Sequence, residues 1–101
     1  MLVEFSTFPM GKEGNMSKPV AEVIDLIDKS GLPYECHAMG TLVEGEWDEV
    51  MELVKKCHSL LAGQYNRVST RIIIDDRKDA SGRIAGKLDS VEKQLGRKFR
   101  R

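Results

Sequence analysis

The sequence predicts an α+β sandwich: two helices on one face of a four-stranded antiparallel sheet, followed by a third helix. Three observations predict it. Strand-like alternation and helix-like periodicity succeed one another in the order β-α-β-β-α-β-α. No internal repeat and no linker divides the chain, so residues 1–101 read as one domain. A content of 41% hydrophobic and 32% charged residues gives that domain a small core and a well-charged surface. Two right-handed β-α-β crossovers that share one antiparallel sheet make the ferredoxin-like βαββαβ sandwich.

Each element has its own justification. Residues 2–8 alternate, with Val3, Phe5 and Thr7 on one face and Glu4, Ser6 and Phe8 on the other. Pro9 lacks a backbone donor and is expected to end the strand. Residues 10–16 hold Gly11, Gly14 and Asn15, a loop composition. Ser17 is a suitable N-cap with Pro19 in the first turn. Val20, Val23, Ile24 and Ile27 then form one helical stripe, which Gly31 and Pro33 stop.

Tyr34 to Ala38 and Thr41 to Glu44 read as a hairpin around Met39-Gly40. Glu46, Asp48 and Glu49 put negative charge at the start of the next helix, where the helix dipole favours it. Its stripe runs Trp47, Val50, Met51, Val54, Cys57, His58 and Leu61, with Trp47 expected in the core and His58 as a hydrogen-bonded core-edge residue. Gly63 ends it. Arg67 to Asp75 is the clearest strand, with Val68, Thr70, Ile72 and Ile74 opposite Ser69, Arg71 and Ile73. A last helix over residues 83–95 carries Ile84, Leu88, Val91 and Leu95 on one face.

This arrangement leaves one sheet face without helices. Glu4, Ser6, Phe8, Ser69, Arg71 and Ile73 fall there, a mixture too apolar for a solvated surface. An oligomer is therefore expected, its sheets packed face to face or joined along their edges.

Charge and motifs narrow the function. Residues 1–66 carry 11 acidic and 5 basic side chains, and residues 67–101 carry 5 and 11, so a neutral chain is divided between an acidic and a basic part. The basic end, Gly96-Arg97-Lys98-Phe99-Arg100-Arg101, is read as a solvated helix terminus. An RNA-binding or purely structural oligomeric domain is the alternative. Paired exposed aromatics on which bases could stack are lacking, so a nucleic-acid partner is not expected. No run approaches the ~18 apolar residues that span a bilayer, and Met1-Leu2-Val3-Glu4 lacks the features of a signal peptide, so the expected location is the cytoplasm.

Cys36-His37 and Cys57-His58 invite a zinc reading. Adjacent strand residues point to opposite faces and adjacent helix residues diverge by roughly 100°, so neither pair chelates. No metal or cofactor is expected. Gly82 to Leu88 looks like a phosphate loop, but its glycines are one residue too close and Leu88 stands where a magnesium-binding hydroxyl is required. No Ser/His/Asp set is readable, so no catalytic residue is assigned and the protein is not expected to be an enzyme.

The stretch Gly40-Thr41-Leu42-Val43-Glu44-Gly45-Glu46-Trp47 places a hydroxyl and a carboxylate at a strand–helix junction, where small-molecule sites tend to sit. Together with Val3 to Gly11, Arg67 to Arg77 and Gly86 to Glu92, this stretch resembles the thiamine-binding protein family, across almost the whole chain. The resemblance implies a ferredoxin-like fold assembled as dimers or tetramers. It also implies binding of thiamine or its hydroxymethylpyrimidine half without catalysis. Ser6, Thr41, Glu44 and Thr70 are the polar ligand candidates in the matching segments, and Phe8, Tyr34 and Trp47 the stacking groups. Strand parity sends Thr41 and Glu44 to opposite faces unless a bulge near Val43 breaks the alternation.

Overall fold

The computed structural model describes residues 1–11 and 14–101. Lys12 and Glu13, within the expected loop at residues 10–16, lie outside the described residues. The elements are β1 (Leu2–Pro9), α1 (Ser17–Lys29), β2 (Tyr34–His37), β3 (Gly40–Glu44), α2 (Trp47–Ala62), β4 (Val68–Asp75) and α3 (Arg83–Leu95). The sheet order is β2-β3-β1-β4, and every neighbouring pair is antiparallel. This is the ferredoxin-like sandwich that the element order predicts, with α3 added.

Registers are regular throughout. Leu2 pairs with Glu44 and Phe5 with Thr41 on one side of β1, and Leu2 with Asp75 through Pro9 with Val68 on the other. Pro9 is thus the last residue of β1 rather than its stop. A strand end tolerates the missing donor, and Met10 N–H takes up the backbone pairing with Arg67 O at 2.8 Å. The hairpin turn is Ala38-Met39, since His37 pairs with Gly40. Gly40 is required by close approach: a Cβ there would stand 2.9 Å from Phe5 O.

The core lies between the sheet and the two crossover helices. Val3, Phe5 and Val43 meet Val23 and Ile27 from α1 and Val50, Leu53, Val54, Cys57 and Leu61 from α2. Leu53 extends the expected stripe. Trp47 departs from expectation at 54% exposure. It opens α2 ahead of Val50, the first residue of the helix to reach the core, so its place in the periodicity does not bury it. The start of α2 is capped as its acidic sequence suggests, with Glu49 Oε1 accepting the Glu46 N–H at 3.2 Å. At α1 the N-cap is Met16, not Ser17, and Asn15 Oδ1 accepts the Ser17 N–H at 2.7 Å. An acceptor one residue earlier does the capping.

α3 has no buried residue, and Val91 and Leu95 are exposed. It is held to the sheet chiefly at its first turns. The basic end folds back on it: the Arg101 guanidinium bonds both Asp89 and Glu92, and Glu92 also accepts the Phe99 N–H at 3.1 Å. These bonds hold the Glu92 carboxyl below its ordinary range, Arg101 contributing most.

Candidate functional site

Two concavities flank the sheet at opposite ends of β3. The first is a cavity of about 170 Å³ between α1, β1 and the β2–β3 hairpin. Val20, Val23 and Ile24 form its helical wall, Phe5 and Thr7 part of its sheet wall, and Met39 stands at the hairpin. The helical wall explains a discrepancy within the α1 stripe. Val23 and Ile27 are buried as expected, but Val20 remains 43% exposed because the stripe continues past the packed core to border a space.

The polar groups around this cavity are few. Thr41 is buried and shares the helix-bearing face with Phe5, and its Oγ1 lies 3.8 Å from Cys36 Sγ. Ser6 also borders it, although strand alternation sends the Ser6 side chain to the open face, where it lines a second small groove with Glu4, Arg71 and Ile73. The hairpin is braced from that open side. His37 Nδ1 accepts the Met39 N–H at 3.2 Å, so the neutral ring carries its proton on Nε2 and donates it to Glu4 at 3.2 Å.

Thr7 is the cavity residue that sequence reasoning missed. It is buried, and its Oγ1 meets Thr70 Oγ1 at 2.7 Å, while Thr70 Oγ1 meets His58 Nδ1 at 2.7 Å. This chain of three groups ties β1, β4 and α2 together. It accounts for Thr70, whose hydroxyl is engaged on the α2 side of the sheet, and it gives His58 the hydrogen-bonded place expected of it. The available signal was the position of Thr7 on the Val3/Phe5 face, where a hydroxyl must find a partner.

The second concavity is a wide cleft of about 560 Å³ at the other end of β3, bordered by Tyr34, Glu44, Glu46, Glu49 and the start of α3. Glu44 is buried here, and its carboxylate accepts the Arg83 N–H at 2.9 and 3.1 Å. A carboxylate at the first helical N–H satisfies an orphan donor and meets the positive end of the helix dipole. The Arg83 side chain doubles back to Asp75 Oδ2 at 2.6 Å, where Lys87 also binds at 2.8 Å. Arg83 first, then Lys87, holds the Asp75 carboxyl down at about 2.

The four expected ligand residues therefore do not converge. Thr41 and Ser6 border the α1 cavity, Thr70 belongs to the Thr7–His58 chain, and Glu44 lies ~10 Å along β3 from Thr41, a three-residue rise, on the opposite face. The unbroken register Leu2–Glu44 to Phe5–Thr41 excludes the bulge that could have joined Thr41 and Glu44. Of the stacking candidates, Phe8 borders the α1 cavity, Tyr34 the α3 cleft, and Trp47 neither. Among the described residues no group of three His, Cys, Asp or Glu could hold a metal ion. No described helix is long and apolar enough to cross a membrane.

Comparison with known proteins agrees with this architecture. The sequence model of the family described as thiamine-binding protein matches residues 3–92. A UPF0045 protein of Methanocaldococcus jannaschii is 36% identical over 91 residues, covering 90% of this chain and 91% of that one. The crystal structure of a hypothetical protein from the same organism superposes with a TM-score of 0.81 at 37% identity, over 89% of this chain and 93% of the other. A Thermotoga maritima protein whose name proposes a role in thiamine biosynthesis or salvage superposes with a TM-score of 0.78 at 26% identity, over 89% and 96% of the two chains.

Proposed function

The chain belongs to the thiamine-binding protein family, and from that premise we propose that it is a non-catalytic binder of thiamine or its hydroxymethylpyrimidine half, acting as a dimer or tetramer. The observation that carries this reading is the α1 cavity. Its volume of about 170 Å³ suits one aromatic ring, since an engineered apolar cavity of ~150 Å³ takes up benzene. A whole two-ring ligand would exceed it. The pyrimidine enters between Phe5 and the Val20–Ile24 wall, and the thiazolium stays at the mouth beside Met39 and Phe8, where polarisable and aromatic groups favour a cation.

Thr41 is the polar group that gives this site its direction. An aminopyrimidine offers a ring-nitrogen acceptor beside an amino donor, and a hydroxyl can serve either role. The contact from Thr41 Oγ1 to Cys36 Sγ is weak, so re-aiming the hydroxyl toward a ring forfeits little. Ser6 is assigned a backbone part in the same wall. Glu44 and Thr70, both engaged within the fold, are assigned structural roles. Cys36 and His37 also line the cavity, but both His37 nitrogens are engaged, by Glu4 and by the Met39 N–H, which supports a bracing role for that ring rather than acid–base work.

The oligomeric part of the reading is supported by apolar groups that the protomer leaves uncovered, Ile73 at 59% exposure and the α3 residues Val91 and Leu95. Calorimetric titration with hydroxymethylpyrimidine, thiamine and the isolated thiazole alcohol tests the ligand. Binding of the first two with no binding of the third is the expected result. Binding of none, or of the thiazole alone, would overturn the assignment.

A further inference from the structure

Thr7 and Thr70 stand directly opposite each other in the β1–β4 register, on the helix-bearing face. Their hydroxyls meet at 2.7 Å, and Thr70 Oγ1 in turn meets His58 Nδ1 of α2 at 2.7 Å. Thr7 is the inner end of this row, 9% exposed and set in the wall of the α1 cavity. His58 is the outer end, exposed on α2, where its ring exchanges protons with water. The row therefore runs from solvent to the proposed ligand site.

Such a row can carry its hydrogens in only two directions. A threonine hydroxyl has one proton to donate and lone pairs that accept. If Thr70 donates to an unprotonated His58 Nδ1, it must accept from Thr7, and Thr7 then meets the cavity with lone pairs alone. If Nδ1 carries a proton, it donates to Thr70. Thr70 then turns its own proton to Thr7, and the Thr7 proton is released toward the cavity. A protonated imidazole has hydrogen on both nitrogens, so protonation of His58 leaves only the second direction.

We propose that Thr7 is the second polar contact of the α1 cavity and that His58 is its positioning residue, making Thr7 a hydrogen-bond donor to a ring nitrogen when the imidazole is protonated. This deepens the binding reading above and rests on it. Thr41 assigns the edges of the ligand. Its hydroxyl donates to Cys36 Sγ, so its lone pairs are open to the amino group, and the neighbouring ring nitrogen falls to Thr7. Thr41 pairs with Phe5, which makes Thr7 its diagonal neighbour on the same face, about 7 Å away, a span that two hydrogen bonds to adjacent ring groups can bridge. The surroundings of His58 are simple. On the β4 face toward it Val68, Ile72 and Ile74 are uncharged, Arg71 and Asp75 lie on the other face, and β1 presents Thr7. The α1 residue Glu22 binds Gln64, and on α2 itself Lys55 stands one turn before His58. No ion pair among the described residues includes His58.

Calorimetric titration of the full chain with hydroxymethylpyrimidine across about pH 5 to 8, the span in which histidine changes charge, tests the switch in wild type, His58→Asn and Thr7→Val. Titration of the ligand itself and of His37 is common to all three proteins and cancels between them. Toward the acid end, wild-type affinity should gain about fivefold or more relative to His58→Asn. Thr7→Val keeps the side-chain volume, and should bind more weakly than wild type with the pH profile of His58→Asn. Thr7→Ser should restore both affinity and profile. Imidazole NMR of the unsubstituted protein gives the reciprocal readout: because linkage is mutual, saturating hydroxymethylpyrimidine should keep His58 protonated to higher pH. A tie that only holds β1, β4 and α2 together would lower the stability of the variants and move neither reading. Identical pH profiles in wild type and His58→Asn, or a His58 titration untouched by ligand, would overturn this inference alone. A wild type that binds no hydroxymethylpyrimidine at any pH would overturn the cavity reading together with it.

Discussion

Cys36 and Cys57 occupy opposite environments, and the difference is usable as a probe of the site. Cys57 is fully enclosed in the core, and burial pushes its thiol up to about 11. Cys36 is exposed and borders the α1 cavity. At pH 8 iodoacetamide should modify Cys36 in the native protein and reach Cys57 only on unfolding, as peptide mass spectrometry would show. Saturating hydroxymethylpyrimidine should slow the Cys36 reaction severalfold. Equal labelling of both thiols would contradict the enclosed core, and an unprotected Cys36 would place the ligand elsewhere. At this scale the sequence was informative about faces but not about partners. Alternation correctly assigned Thr41 and Glu44 to opposite sides of β3. That Glu44 caps α3 across 39 residues of chain, and that Thr7 joins Thr70 and His58, are long-range pairings that no local pattern encodes.

At the scale of elements, α3 is the part of the fold held by charge rather than by burial. Its attachment consists of Glu44 on the Arg83 N–H and Asp75 on the Arg83 and Lys87 side chains. A carboxyl whose folded-state pKa is depressed stabilises the folded arrangement above its unfolded value of ~3.9 and loses that contribution as pH falls toward the folded value. For Asp75 the folded value is about 2, so its contribution to α3 docking should fade as the pH is lowered from roughly 4 to 2. Amide exchange across residues 83–95 should accelerate in that window ahead of the β1–β4 pairs. Exchange that accelerates in both together would show α3 to be no looser than the sheet. The bounds of α3 were legible from its stripe, and so were α2 and β4 to within a residue, because strong periodicity fixes an element's extent. Trp47 was misplaced for the same reason: periodicity gives the face of a helix but not how far along it the core reaches.

For the whole molecule, the fold was legible because element order and crossover handedness leave one arrangement of this sheet. The site was legible only in part. Ser6 and Thr41 were legible as ligand candidates, but the sequence groups Thr41 with Glu44 at the strand–helix junction, whereas it borders the cavity at the hairpin end of β3. The cavity wall comes from Val20 and Ile24, which the same periodicity assigns to core. A stripe that outruns the packing it serves looks identical in sequence to one that does not. That wall also supplies the most direct test of the central claim, that the ligand ring occupies the α1 cavity. Val20 is partly exposed, so Val20→Phe can fill the space from its rim without disturbing the packed interior. Calorimetry with hydroxymethylpyrimidine on Val20→Phe, with Glu44→Gln for comparison, should show affinity lowered at least tenfold in the first and nearly unchanged in the second. Wild-type affinity in a folded Val20→Phe protein, or loss of binding confined to Glu44→Gln, would contradict the account and move the ligand to the α3 cleft.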